Sequence, residues 1–494
     1  MSSTGITYEQ ELFPAPSLPP SAFSPQRLPG ASLESLAALQ HVLKDNHRRH
    51  HIFLNHTRFH NHSTHRALAI YALGGSASLI KGYYEEDGKN QRPAFESPEP
   101  ITEENFVEHL GDENFYQSYV TFFSKQIDEK GAAGTLEEFV FSEKYNFQNG
   151  RDVESQPEML SRFVDGLLHP MIHAGYGVEF GLKGMLAEGL AMVAVEDVYE
   201  RGFYPPSFFE PSATVEMNDT TNLLSSLALN AKPAAAAVPE TRAVHAFDIV
   251  ARMLKDDQLK PKGARTLMNQ VTDTLAEYGT EIRRYAEQWT VDLRKPGEIE
   301  RKMEELVWVS SVVYGVGGFD EEKGLRSDFF LMHMVTSSLF LPSLIAYLSP
   351  RSQVSLLRSY FTTVLTFWVA RGRPALNLKA FMAAAPFEPT IPNAFVPKTP
   401  TEVTPNPFLP IVQSALAHPN DHFVKIQRTF AHFNTIYGLR PAGYFKGTEL
   451  EGAELLDGSL FVRAAVLTAN SMGWVREGQE AKMWDFEGFY DQWL

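Results

Sequence analysis

No cysteine occurs among the 494 residues, which excludes disulfide frameworks, thiolate nucleophiles, iron-sulfur clusters and cysteine-held zinc. Any transition metal must therefore be bound through nitrogen and oxygen. Positive charge is in deficit, with 44 Lys and Arg against 60 Asp and Glu and a formal net charge of -16. This balance argues against nucleic-acid or membrane partners, which call for basic patches. No run approaches the ~20 apolar residues that span a bilayer. The chain's start lacks a basic-then-apolar targeting pattern, so the expectation is a cytoplasmic protein. Nucleotide motifs are missing as well. The nearest approaches, Gly175-Tyr176-Gly177 and Gly315-Val316-Gly317-Gly318, have the wrong spacing for a dinucleotide turn and follow no convincing strand. No Walker lysine and no Gly-x-Ser-x-Gly elbow occur, so flavin chemistry and serine hydrolysis both lose ground.

What is present is helical patterning. Period-two alternation is scarce, while Leu33, Leu36, Leu39 and Leu43 recur at helical spacing behind a candidate N-cap, Ser32. The pattern predicts a mainly α fold with little β-structure. A Pro-rich arm over 1–31 leads into one helical body over 32–494. An Asn- and Ala-rich connection lies near 217–240, and a Pro- and Thr-rich candidate lid at 387–410.

Histidine carries the chemical signal. His60, His62 and His65 run into an apolar helix, with His62 and His65 three apart on one face. Such crowding fits either a metal site or a solvated helix start. His169-Pro170 opens a second apolar helix, which puts His173 one turn in and Glu179 further along, placed to orient a histidine or accept a proton. His333 stands alone in an apolar run, a position more often filled by a satisfied core residue. Lys379 lies between apolar neighbours and is either a snorkelling helix-edge lysine or a buried one with a lowered pKa. In His418-Pro419-Asn420-Asp421-His422, Asn420 or Asp421 caps a helix and His422 is a weak site candidate. His50, His51 and His245 read as structural or solvated. The Trp484-Asp485-Phe486-Glu487-Gly488-Phe489 segment reads as packing.

Four stretches together resemble the questin oxidase-like family: Phe59-His60-Asn61-His62-x-x-His65, His169-Pro170-x-Ile172-His173-x-Gly175-Tyr176-Gly177-x-Glu179-Phe180, Asp328-Phe329-Phe330-Leu331-Met332-His333, and Val369-Ala370-Arg371-Gly372-Arg373-Pro374. Asp457-Gly458-Ser459-Leu460-Phe461-Val462-Arg463 extends the likeness toward the C-terminus. The resemblance implies fungal secondary-metabolite oxidoreductases that open rings of anthraquinone-type polyketides with O2. Some members are described as NADPH-using Baeyer-Villiger-type monooxygenases. Another type is a non-haem iron dioxygenase whose Fe(2+) is held by four histidines and a lysine carboxylated by carbon dioxide. By this likeness the metal ligands come from His60, His62, His65, His173 and His333, with Lys379 as the N6-carboxylysine. His169 and Glu179 act from behind the ligands. A non-catalytic polyketide-binding protein is the alternative from another class. The particular quinone and the oligomeric state are not encoded in these motifs.

Overall fold

A computed structural model describes residues 11–209, 243–398 and 404–493. Eight helices position the site: α1 (Leu33–Arg49), α2 (Ser63–Ala72), α3 (His169–Phe180), α4 (Lys183–Val195), α5 (Phe329–Ser338), α6 (Pro350–Ala370), α7 (Leu378–Ala384) and α8 (Asp421–Tyr437). Strand structure among the described residues is one antiparallel hairpin of Phe319–Asp320 with Gly324–Leu325, Phe319 opposite Leu325. The mainly α expectation is met. No helix among the described residues is long and apolar enough to cross a membrane.

Local sequence explains the helix ends. Ser32 caps α1 through a capping box with Ser35, satisfying two donors that the first turn leaves open. Asn420, rather than Asp421, caps α8 by accepting from the His422 amide at 3.0 Å. Pro170 sits in the first turn of α3, where its missing N–H costs no helix hydrogen bond.

The helices α3 and α4 are apolar on all sides and buried almost throughout, as expected for core helices. Glycine lets them approach backbone to backbone. A methyl group on Gly189 would lie 2.5 Å from the amide nitrogen of Ala174, and one on Gly177 2.5 Å from that of Leu186. α2, α3, α5 and α8 pack against one another, so four segments distant in sequence share one interior.

The arm packs on the body over its described part. Leu12 and Phe13 are buried, and the Ser17 amide donates to the Phe180 carbonyl at 2.8 Å. The connection expected at 217–240 lies outside the described residues. Around the candidate lid, residues 387–398 run as turns and coil with Phe395 81% exposed, Phe408–Leu416 is helical, and 399–403 lie outside the described residues.

Candidate metal centre

Four imidazoles converge where α2, α3, α5 and α8 meet. His62 is the N-cap residue of α2, His169 is the first residue of α3, His333 lies in α5, and His422 is the second residue of α8. His62 Nε2 and His169 Nε2 are 2.7 Å apart, and ligand atoms of His62, His169 and His422 all lie within 4.8 Å of one another. The His333 ring centroid is 5.0 Å from those of both His169 and His422.

Hydrogen bonds behind the rings fix their tautomers. His169 Nδ1 faces the Gly166 carbonyl at 2.7 Å, and His333 Nδ1 faces the Phe329 carbonyl at 2.8 Å. His422 Nδ1 and His62 Nδ1 lie 3.0 Å from Oδ1 and Oδ2 of Asp421. A carbonyl or carboxylate oxygen can only accept, so each Nδ1 carries its proton and each Nε2 presents a bare lone pair. The Nε2 atoms of His333 and His422 are buried with no hydrogen-bond partner. Ligand nitrogens of His62, His169 and His422 gathered within 4.8 Å, two of them 2.7 Å apart and with the His333 ring alongside, repel one another unless a cation lies between them. The donor set therefore fits a metal ion.

Electrostatics agree. Burial, joined by the nearby Lys425 charge, lowers His62 to about 3. Burial and neighbouring imidazoles hold His169 and His333 well below the usual histidine range, and burial lowers His422. All four are neutral at neutral pH, the form that binds metal.

Lys425 lies one turn beyond His422 on α8, and its Nζ donates to Asp421 Oδ2 at 2.8 Å. Burial lowers its pKa, against the opposing pull of the Asp421 carboxylate. Lys425 also lines, with His65, His169, Tyr176, His333 and Thr429, a cavity beside the cluster that leaves about 10 Å³ for the centre of a water-sized group.

The backbone leading into α3 is strained to deliver His169. Gly166, Leu167 and Leu168 take φ of 55°, 54° and 64° in succession. A left-handed leucine costs about 1–2 kcal/mol, and two in a row persist only where the surroundings impose them. This turn brings the Gly166 carbonyl under His169 Nδ1.

Several expected ligands take other roles. His60 Nε2 bonds Glu196 Oε2 at 2.8 Å, and its ring stacks on His169 at 4.2 Å, so it buttresses the cluster. His65 and His173 bond each other, His65 Nε2 to His173 Nδ1 at 3.0 Å, and His173 Nε2 bonds Glu188 Oε2 at 3.0 Å. Both nitrogens of His173 are thus committed within the protein. Glu179 pairs with Arg428 in the core, away from the convergent nitrogens. His169, expected behind the ligands, is one of the convergent four.

Lys379 lies apart from this cluster. It is exposed on α7 and lines a separate open pocket of about 520 Å³ with Lys255, Glu449, Glu451 and Glu454. On this short helix Leu378 and Phe381 take the buried positions, which turns Lys379 outward. The Arg371-Gly372-Arg373-Pro374 stretch before it is structural. Arg371 Nε and Nη2 donate to Asp328 Oδ2 at 2.8 and 2.6 Å, while Asp328 Oδ1 caps α5 by accepting from the Phe330 and Leu331 amides at 3.0 and 2.9 Å. That buried pair anchors the helix carrying His333.

Beside the cluster lies an aromatic ledge. The Phe329 ring is 4.7 Å from His333 and 4.9 Å from His422, and stacks on Phe486 at 4.7 Å. Phe486 remains 38% exposed, although Trp484 and Phe489 around it are buried as expected. The Phe329 amide donates to the Asp485 carbonyl at 2.9 Å, so the C-terminal segment is laid along the start of α5.

The questin oxidase-like family profile matches residues 59–430, more than half of the chain and a span that includes all four histidines and Lys425. The chain is 27% identical over 364 residues to a protein named questin oxidase from Aspergillus terreus, covering 71% of this chain and 73% of that one. It is 25% identical over 357 residues to the Baeyer-Villiger oxidase AgnL3 of Paecilomyces divaricatus, covering 70% of each. A questin oxidase of Aspergillus fumigatus is 25% identical over 353 residues, 70% of this chain and 72% of that one. The chain belongs to the questin oxidase-like family and is an oxidoreductase.

Proposed function

We propose that this protein is a metal-dependent oxygenase that uses O2 to cleave a ring of an anthraquinone-type polyketide. The observation that carries the reading is the meeting of His62, His169 and His422, with His333 beside them, as imidazoles whose rings are all held from behind through Nδ1. Nitrogen-rich sites suit several metals, and with a free position for oxygen chemistry the favoured ion is iron(II). His62, His169, His333 and His422 would hold it. Lys425 is the lysine that would add an oxygen ligand as its carbamate, in preference to the exposed Lys379. It is buried at the cluster, and burial lowers its pKa, which eases loss of the ammonium proton so that the amine can attack carbon dioxide, a second proton leaving as the carbamate forms.

Bound iron supplies activation of dioxygen. The chain's own residues do the rest. Asp421 keeps His62 and His422 in the ligating tautomer, as the Gly166 and Phe329 carbonyls do for His169 and His333. The Phe329–Phe486 ledge offers a flat face for a planar aromatic ligand next to the metal-binding nitrogens.

The Baeyer-Villiger name of one relative favours a second reading on the same ligand class, oxygen insertion beside a ring carbonyl, for which two electrons would come from NADPH by the family resemblance. Oxygen uptake by iron-loaded protein with and without NADPH separates the two. Metal analysis, with 13C NMR of protein equilibrated in 13C-bicarbonate, tests the centre. The expected result is one iron per chain and a carbamate signal lost in Lys425→Met but retained in Lys379→Met. Full turnover by metal-free protein refutes the proposal.

A further inference from the structure

A second chain of titratable groups, which the metal reading does not use, runs beside the cluster. His47 Nδ1 bonds Glu188 Oε1 at 2.7 Å, His173 Nε2 bonds Glu188 Oε2 at 3.0 Å, and His65 Nε2 bonds His173 Nδ1 at 3.0 Å. The Glu188, His173 and His65 side chains are almost wholly buried, whereas that of His47 is 12% exposed.

This chain has a direction. Glu188 lies between two imidazoles and, as a carboxylate, can only accept, so His47 Nδ1 and His173 Nε2 both donate to it. With its ring proton on Nε2 for Glu188, His173 presents a bare Nδ1, which accepts from His65 Nε2–H. The proton of His65 is then on Nε2, and its Nδ1 is bare. That atom is buried without a partner, and His65 lines the cavity shared by Lys425, Thr429, His169 and His333. An unsatisfied buried acceptor is destabilising, and a donor in the cavity would relieve it. The space admits one water-sized group and no ring.

We propose that Glu188 and His173 are positioning residues that fix His65 in one tautomer, so that His65 Nδ1 accepts an O–H bond from a single water in the cavity flanking the four-histidine cluster. Hydrogen bonds arranged head to tail polarise one another, so the anionic end at Glu188 increases electron density on that water's oxygen. The water is thus an oriented group in a cavity also lined by His169 and His333. Glu188 and Glu196 lie eight residues apart in sequence yet serve different rings: one directs His65, the other holds His60.

Histidine-selective 15N NMR of the purified full chain, loaded with zinc as a diamagnetic ion, tests the tautomer directly. Spectra of His65→Asn and His173→Asn supply the assignments. The expected result for wild type is one His65 tautomer with the proton on Nε2 and bare Nδ1. Glu188→Gln should mix the tautomers of His65 and His173. A proton on His65 Nδ1 in wild type, or an unchanged tautomer in Glu188→Gln, overturns the proposal. A crystal structure should show water within hydrogen-bond distance of His65 Nδ1, and a dry cavity likewise overturns it. Only the kinetic arm rests on the oxygenase reading. There, Glu188→Gln should lower kcat about 10-fold with KM and bound metal unchanged, and an unchanged kcat counts against the role. Wild-type protein that binds no iron and consumes no oxygen would refute that reading and leave the tautomer result standing.

Discussion

Replacing Asp421 with Asn tests the metal centre without changing any ligand. The carboxylate accepts from two ring N–H groups, His422 Nδ1 at Oδ1 and His62 Nδ1 at Oδ2, each at 3.0 Å. An amide has the same shape but offers one acceptor and one NH2 donor. One ring would then face a donor with its own N–H, and relief comes from moving that proton to Nε2, the nitrogen aimed at the metal position. The substitution thus removes one of four bare nitrogens, and Lys425 loses its anionic partner. Losing an orienting partner typically lowers metal affinity 10–100-fold, about 1.4–2.8 kcal/mol. Competition against a chelator of known affinity measures this, with circular dichroism to confirm the fold. His60→Asn is the control, because His60 bonds Glu196 and stacks on His169 without offering a nitrogen to the cluster, and its affinity should stay within a few-fold of wild type. Wild-type affinity in Asp421→Asn, or a larger loss in His60→Asn, would refute the tautomer argument.

Further outcomes follow from other parts of the structure. Arg371→Met leaves the Asp328 carboxylate buried without its cation, so unfolding free energy should fall by about 3–5 kcal/mol in urea titrations, with weaker metal binding as α5 loosens. Glu188 gives a pH signature. Burial raises its pKa, but the hydrogen bonds from His173 and His47 outweigh that and bring it to about 2. The unfolded carboxyl takes up its proton first as pH falls, so the contribution is complete above about pH 4.5 and disappears as pH drops through about 2. Glu188→Gln should therefore cost on the order of 3 kcal/mol at pH 7, and urea midpoints should show the gap to wild type narrowing below pH 4. Phe486→Ala should raise KM for a planar quinone several-fold with iron content unchanged. An unchanged KM would remove the aromatic ledge from the substrate site.

The helices, the Ser32 cap and the convergence of distant histidines were readable because apolar periodicity and cap chemistry are local properties. His62, His169 and His333 were accessible for the same reason, since each lies at the start of, or within, an apolar helix. Which imidazole points inward was not readable. His60 and His173 match the spacing of ligands, but their nitrogens are claimed by Glu196 and Glu188, and that pairing exists only after α4 packs on its neighbours. Lys425 was hidden by its own partner, because Asp421 and Lys425 at i and i+4 look like an ordinary solvated helix pair. Lys379 misled in the opposite way: its apolar neighbours suggest burial, yet a two-turn helix has room to bury only one face. The sequence signal for the lysine proposed above is the His422-x-x-Lys425 spacing behind a capping Asn420.

The distribution of the four rings has a consequence for the molecule's life before any turnover. His62 and His169 are 107 residues apart in sequence, and His333 and His422 lie further along still, so an ion at their focus would join segments spread across most of the chain. It would act as a reversible cross-link, closing long loops whose ends otherwise meet only through packing. Without it, the clustered lone pairs push apart at the point where those segments meet. On the proposed reading, chelation should therefore lower the melting temperature and make the chain more open to proteases, and metal supply would govern how long the protein persists as well as how fast it works.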